Sequence, residues 1–190
     1  MSRAESGTFA PYPPLVGAEE LRECVEKLAA EILPDFSDEE PVVAVAVMKG
    51  AIVFLADLIR YLPMPLEVEL LDARSYRGTH QQRVDIVGNV EELRLTGRKV
   101  LVVDCVLDSG RTLAAVQEAL KRQEPARLAT CVLLSKRRER AVDVAADYVG
   151  MEIPDVFVVG YGLDYNNRWR HLPYVAELPE QARTAGGNGR

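Results

Sequence analysis

The chain has 190 residues, 48% of them apolar, which suits one well-packed domain and falls short of two ordinary ones. Its formal charge of −6 and pI near 5.1 exclude a general nucleic-acid or anionic-membrane surface, so any phosphate must be held by local geometry. No apolar run approaches the roughly 20 residues of a membrane span, and Met1–Pro14 lacks an apolar signal core, which predicts a cytoplasmic protein.

Both ends, Met1–Pro14 and Arg183–Arg190, are rich in Gly, Pro, Ala and polar residues and are expected to be mobile, flanking a single domain. Across Ala18–Leu33 the apolar Leu21, Val25, Leu28, Ala29 and Ile32 recur at helical spacing, and Pro34 is expected to end the helix. Val42–Val47 is a β-branched and alanine run typical of a strand buried on both faces; Lys49-Gly50 breaks it before the helix-like Ala51–Leu62. Leu66–Ala73 reads as a strand, and the polar, aperiodic Arg74–Arg83 as a long exposed loop of the kind that forms lids. Arg83–Asn89 is a short strand and Thr96-Gly97 a turn, after which Lys99–Val103 and Thr112–Arg122 repeat the strand, loop, helix order. Arg127–Leu134 is a further buried strand, Arg138–Ala146 a short helix, and Tyr148–Ile153 and Phe157–Tyr161 are strands about a Pro154-Asp155 turn. This alternation predicts an α/β fold, a doubly wound, mainly parallel sheet flanked by helices. Its ligands should gather at the carboxyl ends of the strands, where Met48-Lys49-Gly50, Asp104–Thr112 and Lys136-Arg137 all emerge.

The three cysteines, Cys24, Cys105 and Cys131, are odd in number and widely spaced, which points to reduced thiols. CxxC metal spacing is absent, and His80 and His171 lie far apart; neither they nor Trp169 attract a role.

The richest stretch runs from Val100 to Leu113, where a valine strand empties into Asp104-Cys105-Val106-Leu107-Asp108-Ser109-Gly110-Arg111-Thr112 and then a helix. Backbone N–H groups at the helix start, with the Ser109 and Thr112 hydroxyls, offer a phosphate cradle, and Gly110 permits a close approach or a positive φ. The plainer alternative is an ordinary turn with Asp108 as the helix N-cap and Arg111 facing solvent. Lys49-Gly50 has a plain strand-to-helix turn as its alternative, and Asp164 a turn role; by composition Phe157 belongs to the core and Lys136 to a solvated basic run, Lys136–Arg140.

From about Pro41 to Leu178 these residues resemble the purine phosphoribosyltransferases, and within them the hypoxanthine (hypoxanthine-guanine) branch. Asp104–Thr112 is similar to that family's ribose-phosphate signature, Met48-Lys49-Gly50-Ala51 to its pyrophosphate loop, and Arg74-Ser75-Tyr76 to the start of its lid. Phe157–Asn166 with Arg170 and Leu172-Pro173-Tyr174 resembles its purine-binding end and is the most specific match. The resemblance implies a type I phosphoribosyltransferase-like sheet with a small C-terminal hood. It also implies transfer of the 5-phosphoribosyl group from phosphoribosyl diphosphate to N9 of hypoxanthine or guanine, with release of pyrophosphate, in purine salvage.

By the same resemblance Asp108 is the base that takes the N7 proton, and Ser109, Gly110, Arg111 and Thr112 bind the 5′-phosphate. Met48, Lys49, Gly50 and Arg170 bind pyrophosphate, with a cis peptide commonly found at the position of Met48–Lys49. Phe157 stacks on the purine, the Val158 backbone meets its 2-position edge, and Lys136 donates to its 6-oxo group. Ser75 and Tyr76 close the lid, and Asp164 and Asp104 hold Mg2+; a homo-dimer or homo-tetramer is expected. Members of the family usually carry two adjacent acids on the ribose hydroxyls where this chain has Asp104 and Cys105, and a thiol is a poor substitute for a carboxylate acceptor. Cys105 therefore motivates a second reading, a nucleotide-sensing or regulatory relative with weak or no turnover. A redox switch at Cys105 is a third.

Overall fold

The structure is a computed structural model that describes residues 11–36, 40–77, 82–87 and 90–184, without the side chains at 74–77, 82–83 and 184. The chain forms β1 (Pro14–Val16), α1 (Ala18–Phe36), β2 (Val42–Met48), α2 (Ile52–Leu58), β3 (Leu66–Arg77), β4 (Gln82–Val87) and β5 (Lys99–Leu107). It continues with α3 (Arg111–Lys121), β6 (Arg127–Lys136), β7 (Tyr148–Ile153), β8 (Val158–Val159), β9 (Val175–Glu177) and α4 (Glu180–Thr184). Six strands make the main sheet in the order β4-β3-β2-β5-β6-β7, parallel except for β4, which runs antiparallel to β3. The expected doubly wound sheet is therefore present.

Residues of alternate parity along β2 and β5 feed two cores. Ala44, Ala46, Leu101 and Val103 pack with Leu21, Val25, Leu28 and Ile32 of α1 and Phe54 of α2, while Val43, Val45, Val100 and Val102 pack with Leu113, Val116 and Leu120 of α3. A strand covered on both faces has no polar side to show, which is why the valine runs do not alternate with polar residues. A small antiparallel sheet, β1-β9-β8, forms the hood. Its first strand begins at Pro14, the last residue of the segment expected to be mobile, most of which, residues 1–10, lies outside the described ones. At the other terminus Arg183 is helical in α4, and residues 185–190 lie outside the description.

Three further expectations need correction. Helix α1 continues past Pro34 to Phe36, because tertiary contacts hold its last turn: Phe36 is fully buried under the Arg127 guanidinium, and Asp35 accepts hydrogen bonds from Tyr148 and Arg127. The supposed long loop Arg74–Arg83 is largely a β-hairpin in which Arg74 pairs Asp85, Ser75 pairs Val84, Tyr76 pairs Arg83 and Arg77 pairs Gln82. Backbone pairing at a sheet edge needs no apolar pattern, so aperiodic side chains concealed it. The segment expected to be a helix, Arg138–Ala146, contains none: Arg140 Nη1 donates to the Val144 carbonyl at 2.5 Å and Nη2 to Ser135 Oγ at 3.2 Å, stapling an irregular loop back onto β6.

Candidate active site

The carboxyl ends of β2 and β5 and the hood surround a cavity of about 500 Å³. Met48 and Gly50 line it from the loop after β2, Asp104, Asp108, Ser109, Gly110, Arg111 and Thr112 from the turn after β5, and Leu163 and Asp164 from the hood. A second space of about 270 Å³ adjoins it, lined by Lys49, Gly50, Asp108, Lys136, Phe157, Val158, Asp164 and Arg170. Gly50, Val106, Asp108, Leu163 and Asp164 border both. Residues scattered from 48 to 170 thus meet on one rim, as sheet topology requires.

The turn after β5 is built around Gly110, the N-cap of α3, which has φ +82°. A Cβ there would sit 2.5 Å from Val144 Cγ1, so only glycine fits both the backbone and the loop packed over it. No side chain caps α3. Asp108 is therefore not the helix cap. Its two oxygens accept from cations instead, Oδ2 from Lys136 Nζ at 2.8 Å and Oδ1 from Arg138 Nη1 at 2.9 Å. Lys136, although it opens a basic run, is only 9% exposed. Arg111 does not simply face solvent, since its Nε is buried without a hydrogen-bond partner beside the larger cavity. An anion held by the Ser109–Thr112 turn would supply what that nitrogen lacks.

Asp104 lies at the floor of the larger cavity, where burial pushes its carboxyl up to about 6 against the opposing pull of the Cys105 and Val106 backbone N–H groups. The Cys105 N–H donates to Asp104 Oδ1 at 2.7 Å. Cys105 itself does not line either cavity: the thiol is fully buried in the core shared with α1 and α2, its Sγ 3.8 Å from the Tyr161 carbonyl. Strand β5 runs through residues 104–107, so 105 points to the opposite face from 104. This corrects the expectation that Cys105 reaches a ribose. Burial and the neighbouring Asp104 also push the thiol well above its ordinary range, which disfavours the thiolate that a redox switch needs.

At the hood, Asp164 Oδ1 pairs with Arg170 Nη2 at 2.7 Å, and Arg170 Nη1 donates to the Gly162 carbonyl at 2.6 Å. Gly162, at φ +95°, sits so close to the loop after β2 that a Cβ would lie 2.3 Å from the Gly50 carbonyl oxygen. The Met48–Lys49 peptide is cis. Phe157 is half-buried, with Tyr165 edge-on at 5.7 Å and the Arg183 guanidinium 5.5 Å from its centroid. Ser75 and Tyr76 belong to β3, but their side chains lie outside the described ones. Arg138 and Asp155 were missed by sequence reasoning. Arg138 sat in a basic run that composition assigns to solvent, and nothing in the sequence signals that it meets Asp108.

Comparison with known proteins places this geometry among relatives. A model of the phosphoribosyl transferase domain matches residues 17–166. Hypoxanthine phosphoribosyltransferase of Salmonella typhimurium is 41% identical over 162 residues, 84% of this chain and 90% of that protein. A crystal structure of a hypoxanthine-guanine phosphoribosyltransferase from Bacillus anthracis, with HEPES in its active site, is 38% identical and superposes with a TM-score of 0.77 over 88% of this chain and 98% of its own. The hypoxanthine phosphoribosyltransferase of Trypanosoma cruzi in complex with its product IMP is 33% identical, with a TM-score of 0.82 over 93% of this chain and 98% of its own.

Proposed function

The chain belongs to the phosphoribosyl transferase domain family, and from that premise we infer that it transfers a 5-phosphoribosyl group from phosphoribosyl diphosphate to N9 of a 6-oxopurine in purine salvage. The observation that carries this reading is the position of Asp108 on the seam between a space lined by the Ser109–Thr112 turn and one lined by Phe157 and Lys136. The bond that breaks and the base that attacks must meet at such a seam.

Ser109, Gly110, Arg111 and Thr112 take the 5′-phosphate through backbone N–H groups, two hydroxyls and the buried Arg111 nitrogen, while Asp104 accepts from the ribose hydroxyls. Phe157 stacks on the purine and Val158 meets its edge through the backbone. Lys136, an obligate donor, suits a 6-oxo group and opposes a 6-amino group, so it discriminates against adenine. As N9 attacks the anomeric carbon, N7 becomes acidic and Asp108 accepts its proton. The backbone of Met48–Gly50 and the Arg170 guanidinium receive the departing pyrophosphate.

The residues also fit a divalent cation. Among the described residues no three His, Cys, Asp or Glu form a cage, but Asp104 and Asp164 line the same cavity. Two carboxylates suit magnesium, which keeps waters and shares substrate phosphates. Asp104 and Asp164 would hold it, and bound there it would neutralise charge on the leaving group. Ser75 and Tyr76, on the β3–β4 hairpin at the same rim, are proposed to exclude water by closing over the site. We read the chain as one domain that assembles as a homo-dimer or homo-tetramer, binding small molecules and no nucleic acid; no helix of the described residues is long and apolar enough to cross a membrane.

The sensor reading loses its motive, because Cys105 faces the core instead of the substrate. Incubating the purified protein with magnesium, phosphoribosyl diphosphate and hypoxanthine, guanine, xanthine or adenine tests the assignment. Nucleotide should form from the 6-oxopurines and not from adenine; nucleotide binding by calorimetry without any product would overturn it.

A further inference from the structure

Two members of the charge cluster around Asp108, Arg138 and Asp155, have no role above. Arg138 Nη1, besides its 2.9 Å contact with Asp108 Oδ1, lies 3.4 Å from Asp155 Oδ1, and Lys136 Nζ lies 3.9 Å from the same Asp155 oxygen. Two cations therefore share two carboxylates, one on the turn after β5 and one on the turn after β7.

The arrangement answers a conflict within the proposed reaction. Lys136 must serve the purine 6-oxo group and Asp108 must serve N7, yet before the purine arrives these side chains hold each other at 2.8 Å. A purine that inserts there splits the pair, and both charges then need partners because Lys136 is buried. Arg138 grips the oxygen of Asp108 that Lys136 does not use, so Oδ2 is released toward N7 while Oδ1 stays anchored. Asp155 stands within reach of both cations.

We propose that Arg138 is a positioning residue for Asp108, and that Asp155 anchors Arg138 and compensates Lys136, so that the purine can part Lys136 from Asp108 without stranding either charge. The proposal rests on the reading of Asp108 as the base. It predicts a selective defect. Without Arg138, Asp108 loses its second anchor and holds Lys136 more tightly, so purine use suffers more than donor binding at the Ser109–Thr112 turn, although Arg138 also borders that cavity.

Steady-state kinetics with each substrate varied in turn test it on the full chain. Arg138→Ala should lower kcat/KM for hypoxanthine roughly three- to tenfold, with KM for phosphoribosyl diphosphate changed less than about twofold. Arg138→Lys should recover most of the loss, since a single nitrogen makes both contacts. Asp155→Asn should give a smaller defect of the same kind. Added salt should narrow the difference between wild type and Arg138→Ala, because the Arg138 side chain is 40% exposed. The proposal is overturned if Arg138→Ala leaves kcat/KM for hypoxanthine unchanged, or raises both KM values alike. Asp108→Asn run in parallel separates the layers: full activity in that variant sinks the base assignment itself, whereas an inactive Asp108→Asn beside an unaffected Arg138→Ala sinks only the role of Arg138.

Discussion

At Asp108, exchange of one oxygen for nitrogen keeps the side-chain shape and removes the proposed proton acceptor. Asp108→Asn should therefore lower kcat about 10²–10⁴-fold, with calorimetry still showing binding of phosphoribosyl diphosphate, whose proposed contacts are Ser109–Thr112. Cys105 calls for the opposite experiment. Had its side chain faced the ribose, Cys105→Asp would raise activity; buried among α1, α2 and β5 residues, the new carboxylate has no cation within the core and must be desolvated. We expect Cys105→Asp to lose about 3 kcal/mol or more of stability, seen as a Tm lower by roughly 6 °C or more, while Cys105→Ala keeps its activity. A gain of turnover in Cys105→Asp would contradict the strand parity on which this rests.

At the scale of elements, the turn between β5 and α3 depends on a left-handed residue wedged under the stapled loop after β6. Gly110→Ala forces that φ on a side chain whose Cβ meets Val144 at 2.5 Å. The expected outcome is about 2 kcal/mol or more of lost stability and a raised KM for phosphoribosyl diphosphate, measured by thermal unfolding and kinetics. Helix α1 carries a pH-dependent counterpart. The Tyr148 hydroxyl, against the opposing effect of burial and with the help of Arg127, holds the Asp35 carboxyl below its ordinary value. A depressed carboxylate stabilises the folded state at pH values above its unfolded value, near 4, and that contribution disappears as pH falls through the folded value. Wild type should thus unfold at a higher temperature than Asp35→Asn at pH 7, with the gap closing below about pH 4. Such contacts explain what sequence left hidden. Periodicity ended α1 at Pro34 because it cannot weigh Phe36 burial or the Asp35 bonds; it found the strands at Leu66–Ala73 and Arg83–Asn89 but missed the extension of β3 to Arg77, which is held by backbone pairing to β4. The strands β2, β5 and β6 were legible because β-branched runs buried on both faces leave little else for the chain to do.

At the scale of the molecule, the main sheet is legible in the sequence, whereas the hood follows only from the resemblance, its strands β1 and β9 giving no strand signal, and the junction of the two is not legible at all. Resemblance brought Lys49-Gly50, Asp104–Thr112 and Phe157–Arg170 to one site, yet the sequence carries no sign that Gly162 must touch the loop after β2 or that Arg138 meets Asp108. Those contacts arise from packing between segments far apart in the chain. The hood is tied to the sheet side by Tyr161, whose hydroxyl donates to Asp57 Oδ2 of α2 at 2.6 Å, and by the close approach of Gly162 to the Gly50 carbonyl. Because Lys49, Gly50, Phe157 and Arg170 border the same space, the distance from hood to loop would set the spacing between the proposed purine and pyrophosphate positions. A methyl group at 162 would lie 2.3 Å from that carbonyl oxygen, at a φ of +95° that resists side chains, so hood and loop must move apart. Gly162→Ala should then raise KM for the purine and for phosphoribosyl diphosphate together and lower kcat/KM roughly tenfold, since small displacements of reacting groups are costly. Tyr161→Phe, which loosens the hood without inserting bulk, should give a weaker effect in the same direction. If Gly162→Ala folds and shows wild-type KM values for both substrates, the spacing of hood and loop does not govern catalysis, and the two parts act as independent binding surfaces.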